Sequence, residues 1–246
     1  MKTLVLDLET KKSFDEVGGA HNKHLLGVSV VGVYDYEADS FRAYREDRFI
    51  DLAEALKAAE LLVGFNIIAV DLPVLASVLG DWVRGLPSFD LMLEAQKVLG
   101  HRVSLDSVAK ATLAMTKLGS GLDALDYYAK GDWERLERYC LEDVKLTRDL
   151  YDYARKHRSL YFQKGNHRAP IPMRFADAGL SALFETALHE QQLINMRYGA
   201  KERTIEVKNF DGIYIKAFCH LRKELLTFRL DRVESAELIT SSQPLF

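Results

Sequence analysis

A chain of 246 residues has room for one large domain, or for a medium domain and a small one. Its 48% hydrophobic content with 15 Gly and 5 Pro is that of an ordinary globular protein; no apolar run reaches the ~18 residues of a membrane span, and the acid at position 7 comes too early for a secretory leader, so a cytoplasmic protein without membrane partners is expected. Cys140 and Cys219 are too few for a disulfide framework or a zinc site, and the net charge of −3 averages an acidic stretch, residues 1–154 with 18 Lys and Arg against 26 Asp and Glu, with a basic one, residues 155–246 with 15 against 10.

Thr3 to Glu9 reads as a strand ending in acids. Leu26 to Val33 and Phe41 to Ala43-Tyr44 extend it into a three-stranded meander. Asp51 to Ala59 has helical periodicity, and Leu61 to Phe65 is a short apolar run of the buried-strand kind. Helices are predicted over about 70–79, 90–99, 105–113 and 121–129, then a long one from Trp133 to about His157. Strands gathered early and helices later, with one β-α-β crossing, point to an α/β layer architecture. Arg155 to Arg174 then holds six Lys and Arg with no acid, and its Gly165-Asn166 and Pro170-Ile171-Pro172 read as turn or linker. Beyond it come a helix over Ala178 to Gln192 and three short strands, Thr204 to Lys208, Gly212 to Cys219 and Leu225 to Leu230.

Three acidic elements carry chemistry. Asp7 and Glu9 lie two apart on a strand and so face the same side. A buried carboxylate after the apolar run Leu4-Val5-Leu6 is costly unless neutralised, and hard divalent cations prefer such oxygen ligands. Asp71 follows the Gly64-Phe65-Asn66 turn in an apolar helix start, and Tyr139 and Asp143 lie one helical turn apart. Each has an ordinary alternative: a solvated strand end, a helix cap, a surface hydrogen bond. The acidic-then-basic charge distribution fits a metal-binding domain with a phosphate-contacting appendage, and equally two unrelated charged surfaces.

Taken in order, strand-Asp-x-Glu, strand-Asn-turn-Asp and helix-Tyr-xxx-Asp resemble the DEDD exonucleases of the ribonuclease-H-like superfamily, in the tyrosine subgroup. Ser88-Phe89-Asp90-Leu91-Met92 and Leu105-Asp106-Ser107-Val108-Ala109 are similar to its helicase-associated branch. The resemblance covers about residues 1–155. It implies a mixed sheet flanked by helices and 3′→5′ hydrolysis of phosphodiester bonds with two Mg²⁺ or Mn²⁺ ions. The ions would be held by Asp7, Glu9, Asp71 and Asp143, with Tyr139 orienting the attacking water. The implied substrate is a single strand, DNA first and RNA left open, in DNA repair or a related process. Asn66 either shapes its turn or touches the terminal nucleotide, and Lys117 either reaches a phosphate or is a solvated charge.

The C-terminal residues Ile213-Tyr214-Ile215 and, more closely, Phe228-Arg229-Leu230-Asp231-Arg232 resemble a shortened WYL domain. That resemblance implies a small Sm/SH3-like β-barrel with a basic pocket, for which Tyr214, Arg222, Lys223, Arg229 and Arg232 are the candidate strand- or nucleotide-binding residues. The alternatives are surface charges on a scaffold, or a ligand-sensing regulatory module. Stacking of bases is expected on Tyr161, Phe162 or Tyr214. A barrel this short is expected to draw on a partner surface, so a homo-oligomer through this domain is an expectation. The resulting division is an exonuclease domain over 1–160, a basic linker over 161–180 and a WYL-like barrel over 181–246.

Overall fold

The computed structural model describes residues 2–116, 119, 121–164, 167–173, 175, 178–199, 201–210 and 214–239. The chain divides into two compact units, Met1–Met173 and Arg174–Phe246. No helix among the described residues is long and apolar enough to cross a membrane.

The first unit is built on a mixed five-stranded sheet. Its strands are β1 (Thr3–Thr10), β2 (Val28–Asp35), β3 (Ser40–Tyr44), β4 (Leu61–Gly64) and β5 (Ser88–Asp90), in the order β3-β2-β1-β4-β5. β1, β2 and β3 form the antiparallel meander expected from their alternation, while β4 and β5 run parallel to β1. Helices α1 (Phe49–Lys57) and α2 (Asp71–Leu79) supply the two parallel crossovers, one more than the sequence pattern predicted, because β5 is too short to announce itself. Helices α3 (Leu91–Leu99), α4 (Leu105–Leu113), α5 (Gly121–Lys130) and α6 (Trp133–His157) follow within a residue or two of their predicted places. This is a mixed α/β fold with a mixed sheet flanked by helices.

Alternation along β1 assigns its side chains to two cores. Leu4, Leu6 and Leu8 join Val31, Val33 and Leu62 in the core that holds Leu52 and Leu56 of α1 and Leu72 and Leu75 of α2. Asp7 and Glu9 point to the other face, directly across from Gly32 and Val30 of β2. There α6 lies on the sheet with a stripe of buried residues at helical spacing, among them Leu136, Cys140, Asp143, Val144, Thr147 and Leu150. The guanidinium of Arg148 stacks over Tyr34 at 4.8 Å and Phe41 at 5.1 Å, holding the helix along β2 and β3.

The stretch predicted as linker contains ordered structure. Strands β6 (Ser159–Lys164) and β7 (His167–Pro172) form a hairpin within the first unit, packed against α3, α4 and α6. Thr112 of α4 fastens it, accepting from the Tyr161 amide at 2.9 Å and donating to the Tyr161 carbonyl at 3.2 Å. In a two-stranded ribbon both strands are edges, which is why Pro170 and Pro172 fit here without forcing a linker.

In the second unit, α7 (Ala178–Glu190) packs on an antiparallel sheet of five strands where three were predicted: β8 (Leu193–Tyr198), β9 (Lys201–Phe210), β10 (Tyr214–Cys219), β11 (Glu224–Arg229) and β12 (Val233–Leu238). The order is β11-β10-β9-β8-β12, so the last strand returns to the first. Its core gathers Phe184, Ile194, Ile205, Ile215, Phe228 and Val233. No pairing joins β11 to β12 among the described residues, so the closed barrel expected from the sequence is not detected there.

Gly32 sets how closely α6 approaches β2: a Cβ there would lie 2.8 Å from Val144 Cγ2 and 3.0 Å from Cys140 Sγ. Gly32→Ala is therefore expected to lower stability by about 1–3 kcal/mol through overpacking. The readout is a lower urea midpoint at unchanged slope; an unshifted midpoint would show that α6 has slack.

Candidate active site

Asp7 and Glu9 leave the end of β1 on the face covered by α6, and Asp143 is the buried carboxylate of α6 opposite them. One carboxylate oxygen from each of the three lies within 4.8 Å of the others. The cleft above them, about 380 Å³, is walled by the end of β1, Asn66 and Asp71, Met92 of α3, and the segment from Arg102 to Leu105. Asp71, the first residue of α2, is 6% exposed, and its Oδ1 accepts from the Leu8 amide at 3.2 Å. This bond ties the second acidic element to the backbone between Asp7 and Glu9. A compact set of hard oxygen donors on rigid elements fits a divalent cation such as Mg²⁺ or Mn²⁺ at Asp7, Glu9 and Asp143, with Asp71 on the same cleft wall.

Behind the acids sits Cys140, fully buried, its thiol 3.6 Å from the Asp7 carbonyl. Burial, then the nearby Asp7, Glu9 and Asp143, push this thiol well above its usual range, so it remains neutral packing material. Tyr139 precedes Asp143 by one turn, as the spacing implied. Its ring is packed with Val30, Ala124, Leu136 and Cys140 and is not among the residues lining the cleft.

Two residues of this region were given no role from the sequence, Asp90 being quoted only within a family-like segment. Asp90 ends β5 and caps α3, accepting from the amides of Met92 and Leu93 at 3.1 Å each. The same carboxylate accepts from the amides of Asn66 at 2.7 Å and Ile68 at 3.0 Å. It thereby holds the turn in which Asn66 takes a left-handed backbone, φ 72°. The signal was an Asp immediately before an apolar-periodic run. Arg102 is the other. Among the described residues it is the one Lys or Arg lining the cleft, and its Nη2 donates to Asn66 Oδ1 at 2.8 Å. No sequence signal marks it, because the partnership spans 36 residues.

Of the remaining candidates, Lys117 lies outside the described residues, as does the side chain of Tyr214. Arg222 and Lys223 are exposed in the turn between β10 and β11, Arg229 is half-buried at the end of β11, and Arg232 is exposed before β12. None of these four lines the second unit's cleft of about 620 Å³, whose basic lining residues are Arg203 and His220. Phe162, expected to stack bases, is 8% exposed and occupied in the hairpin's inner face.

Residues 180–238 match the WYL domain family. No curated protein matches the chain. Among solved structures it is similar to the family B DNA polymerase from the hyperthermophilic archaeon Pyrobaculum calidifontis, at 18% identity and a TM-score of 0.49, over 63% of this chain and 24% of that one. It is also similar to proteasome accessory factor B/C (PafBC) of Arthrobacter aurescens, at 23% identity and a TM-score of 0.24, over 58% of this chain and 21% of that one. The chain thus spans about a quarter or less of the length of either.

Replacing Asp90 by Ala removes the acceptor for four amides and is expected to cost about 2–3 kcal/mol, with Asp90→Asn intermediate. Thermal melts of the three proteins check this; coincident curves would remove Asp90 from the support of the cleft. Cys140 and Cys219, both buried, are expected to stay unreactive toward a thiol reagent at neutral pH until the chain is unfolded.

Proposed function

We propose that the chain is a metal-dependent 3′→5′ exonuclease of the DEDD type, acting on the 3′ end of single-stranded nucleic acid, DNA in preference to RNA. One observation carries this: Asp7, Glu9 and Asp143, distant in sequence, bring carboxylate oxygens within 4.8 Å of one another at a cleft that Asp71 also lines. Like charges that close oppose one another's ionisation unless cations neutralise them. The match to the DEDD pattern in both order and spacing gives the arrangement its reaction class.

Two bound Mg²⁺ or Mn²⁺ ions would supply an activated water and charge stabilisation for the leaving 3′ oxygen. The chain's own residues hold the geometry. Asp71 is fixed by the Leu8 amide, and Asp143 is fixed by burial of α6 against β1 and β2. Asn66 and Arg102 stand on the cleft wall as hydrogen-bond donors for the strand end, and the half-exposed Phe14 offers a ring to its base. Tyr139 is assigned to orienting the water: a phenol of pKa near ~10 is a poor base at neutral pH.

For the second unit, the WYL match supports binding of a strand or nucleotide, and the cleft with Arg203 and His220 is the place for it. The return of β12 to β8 supports an Sm-like barrel that closes between β11 and β12. A regulatory role on a nuclease scaffold is the second reading, favoured by that same cleft.

Incubation of 5′-labelled single-stranded DNA and matching RNA with Mg²⁺, Mn²⁺ or EDTA is expected to give a ladder shortening from the 3′ end only with metal. Asp7→Ala and Asp143→Ala are expected to fall to background while staying folded, with a melting temperature no lower than the parent's. Tyr139→Phe is expected to be slower by about 10–100-fold, the scale of a misplaced reactant. A parental rate would release Tyr139 from the mechanism, and strands bound but uncleaved under every condition would favour the regulatory reading.

A further inference from the structure

Resting on the nuclease reading of the cleft, we propose that hairpin β6–β7 and the end of α6 form a second binding surface, for the phosphodiester backbone of the strand whose 3′ end occupies the cleft.

The hairpin alternates. Leu160, Phe162 and Ile171 are buried against the helices, whereas Gln163, Lys164 and Arg168 are exposed. Arg155 and Lys156, in the last turn of α6, are exposed as well. From Tyr153 to Ala176 the sequence contains no Asp or Glu, so this cationic surface lacks the local acids that usually balance one. Asp152, at its border, is engaged by the Tyr36 hydroxyl at 2.7 Å.

The surface is also shaped. The Arg168 guanidinium lies over the Tyr161 ring at 3.6 Å, and Tyr153 meets that ring edge-on at 6.5 Å. A guanidinium laid flat on an aromatic ring keeps its edge donors available in a fixed plane, the geometry that suits phosphate oxygens. Because Arg168 covers one face of Tyr161, the interaction expected there is with the backbone rather than a stacked base.

What selects a nucleic-acid strand over other polyanions is position. The His101 ring packs against Phe162 with centroids 5.9 Å apart, and the next residue, Arg102, lines the acidic cleft. The segment that brings a cation into the cleft is thus the one the hairpin rests on. A polymer leaving the cleft past Arg102 passes from a wall of carboxylates onto a basic face. On this proposal a mononucleotide or dinucleotide held in the cleft does not engage the hairpin, whereas a longer strand does.

The test uses the full chain with Lys164→Ala/Arg168→Ala. Anisotropy with a labelled 16-nucleotide strand in EDTA is expected to show about 5–10-fold weaker binding at 0.1 M salt. The slope of log K against log salt should shrink by about 1.4, roughly 0.7 for each phosphate that the protein no longer neutralises. Hydrolysis of a dinucleotide should match the parent, while hydrolysis of the 16-mer at subsaturating concentration falls in step with binding. Arg168→Lys, which keeps the charge but not the planar fork, should keep the parental salt slope while losing part of the affinity. Unchanged affinity and slope in the double variant would overturn the proposal, as would polyglutamate competing as well as DNA. A parent that binds the 16-mer through the hairpin but cleaves nothing would sink the nuclease reading and leave this surface standing.

Discussion

Three carboxylates at the separation of Asp7, Glu9 and Asp143 repel one another. At 4.8 Å and an effective dielectric of ~20, each ionised pair costs about 3 kcal/mol. Nothing in β1 alone would gather them; the force comes from the seating of α6 on β1 and β2. Each fully buried aliphatic side chain in the α6 stripe contributes about 1.5–3 kcal/mol, so the packing of Leu136, Val144, Leu146 and Leu150 is of the same order as the repulsion it opposes. That seating depends on the absence of a side chain at Gly32, directly across from Asp7 in the β1–β2 register. Hydrophobic packing on one side of the helix therefore holds together acids whose mutual repulsion a divalent cation would relieve. The acidic cleft is a consequence of the core rather than an ornament on it.

The first unit was legible in the sequence where periodicity was long or alternation strong. α4 and α6 coincide with their predicted spans, and the β1–β2–β3 meander followed from apolar alternation bounded by turn residues. Legibility failed where strands were short or punctuated. β5 has three residues, and β7 carries two prolines that only an unpartnered edge tolerates. β8, Leu-Ile-Asn-Met-Arg-Tyr, alternates as a strand should, but its Asn and Arg mute the signal. β12, Val-Glu-Ser-Ala-Glu-Leu, has the composition of a helix and is held extended by pairing with β8. The sequence could supply neither partner without the other.

The site divides along the same line. Asp7 and Asp71 stood out as carboxylates in apolar surroundings, and Glu9 and Asp143 entered through the spacing and order that resemble the DEDD pattern; the structure brings Asp7, Glu9 and Asp143 together with Asp71 on the same cleft. Arg102 was invisible because an Arg before a helix conflicts with nothing; only the fold reveals that it is paired with Asn66 over the acids. Phe162 erred the other way. An aromatic among cations invited a stacking role, but the pleat turns Phe162 inward and leaves Arg168 as the outward group.

Asp90 joins parts of the chain that are otherwise separate. Its two oxygens take the amides of Asn66 and Ile68 on one side and of Met92 and Leu93 on the other. The cleft is lined from both: Asn66 belongs to one group, Met92 to the other. If the Asn66 turn lifts away, Met92 and Leu93 keep their acceptor at the α3 cap while Asn66 and Ile68 lose theirs; if the start of α3 frays, Asp90 leaves with it and all four amides lose their acceptor. Dependence between the walls therefore runs one way, and amide exchange at Asn66 and Ile68 is at least as fast as at Met92 and Leu93.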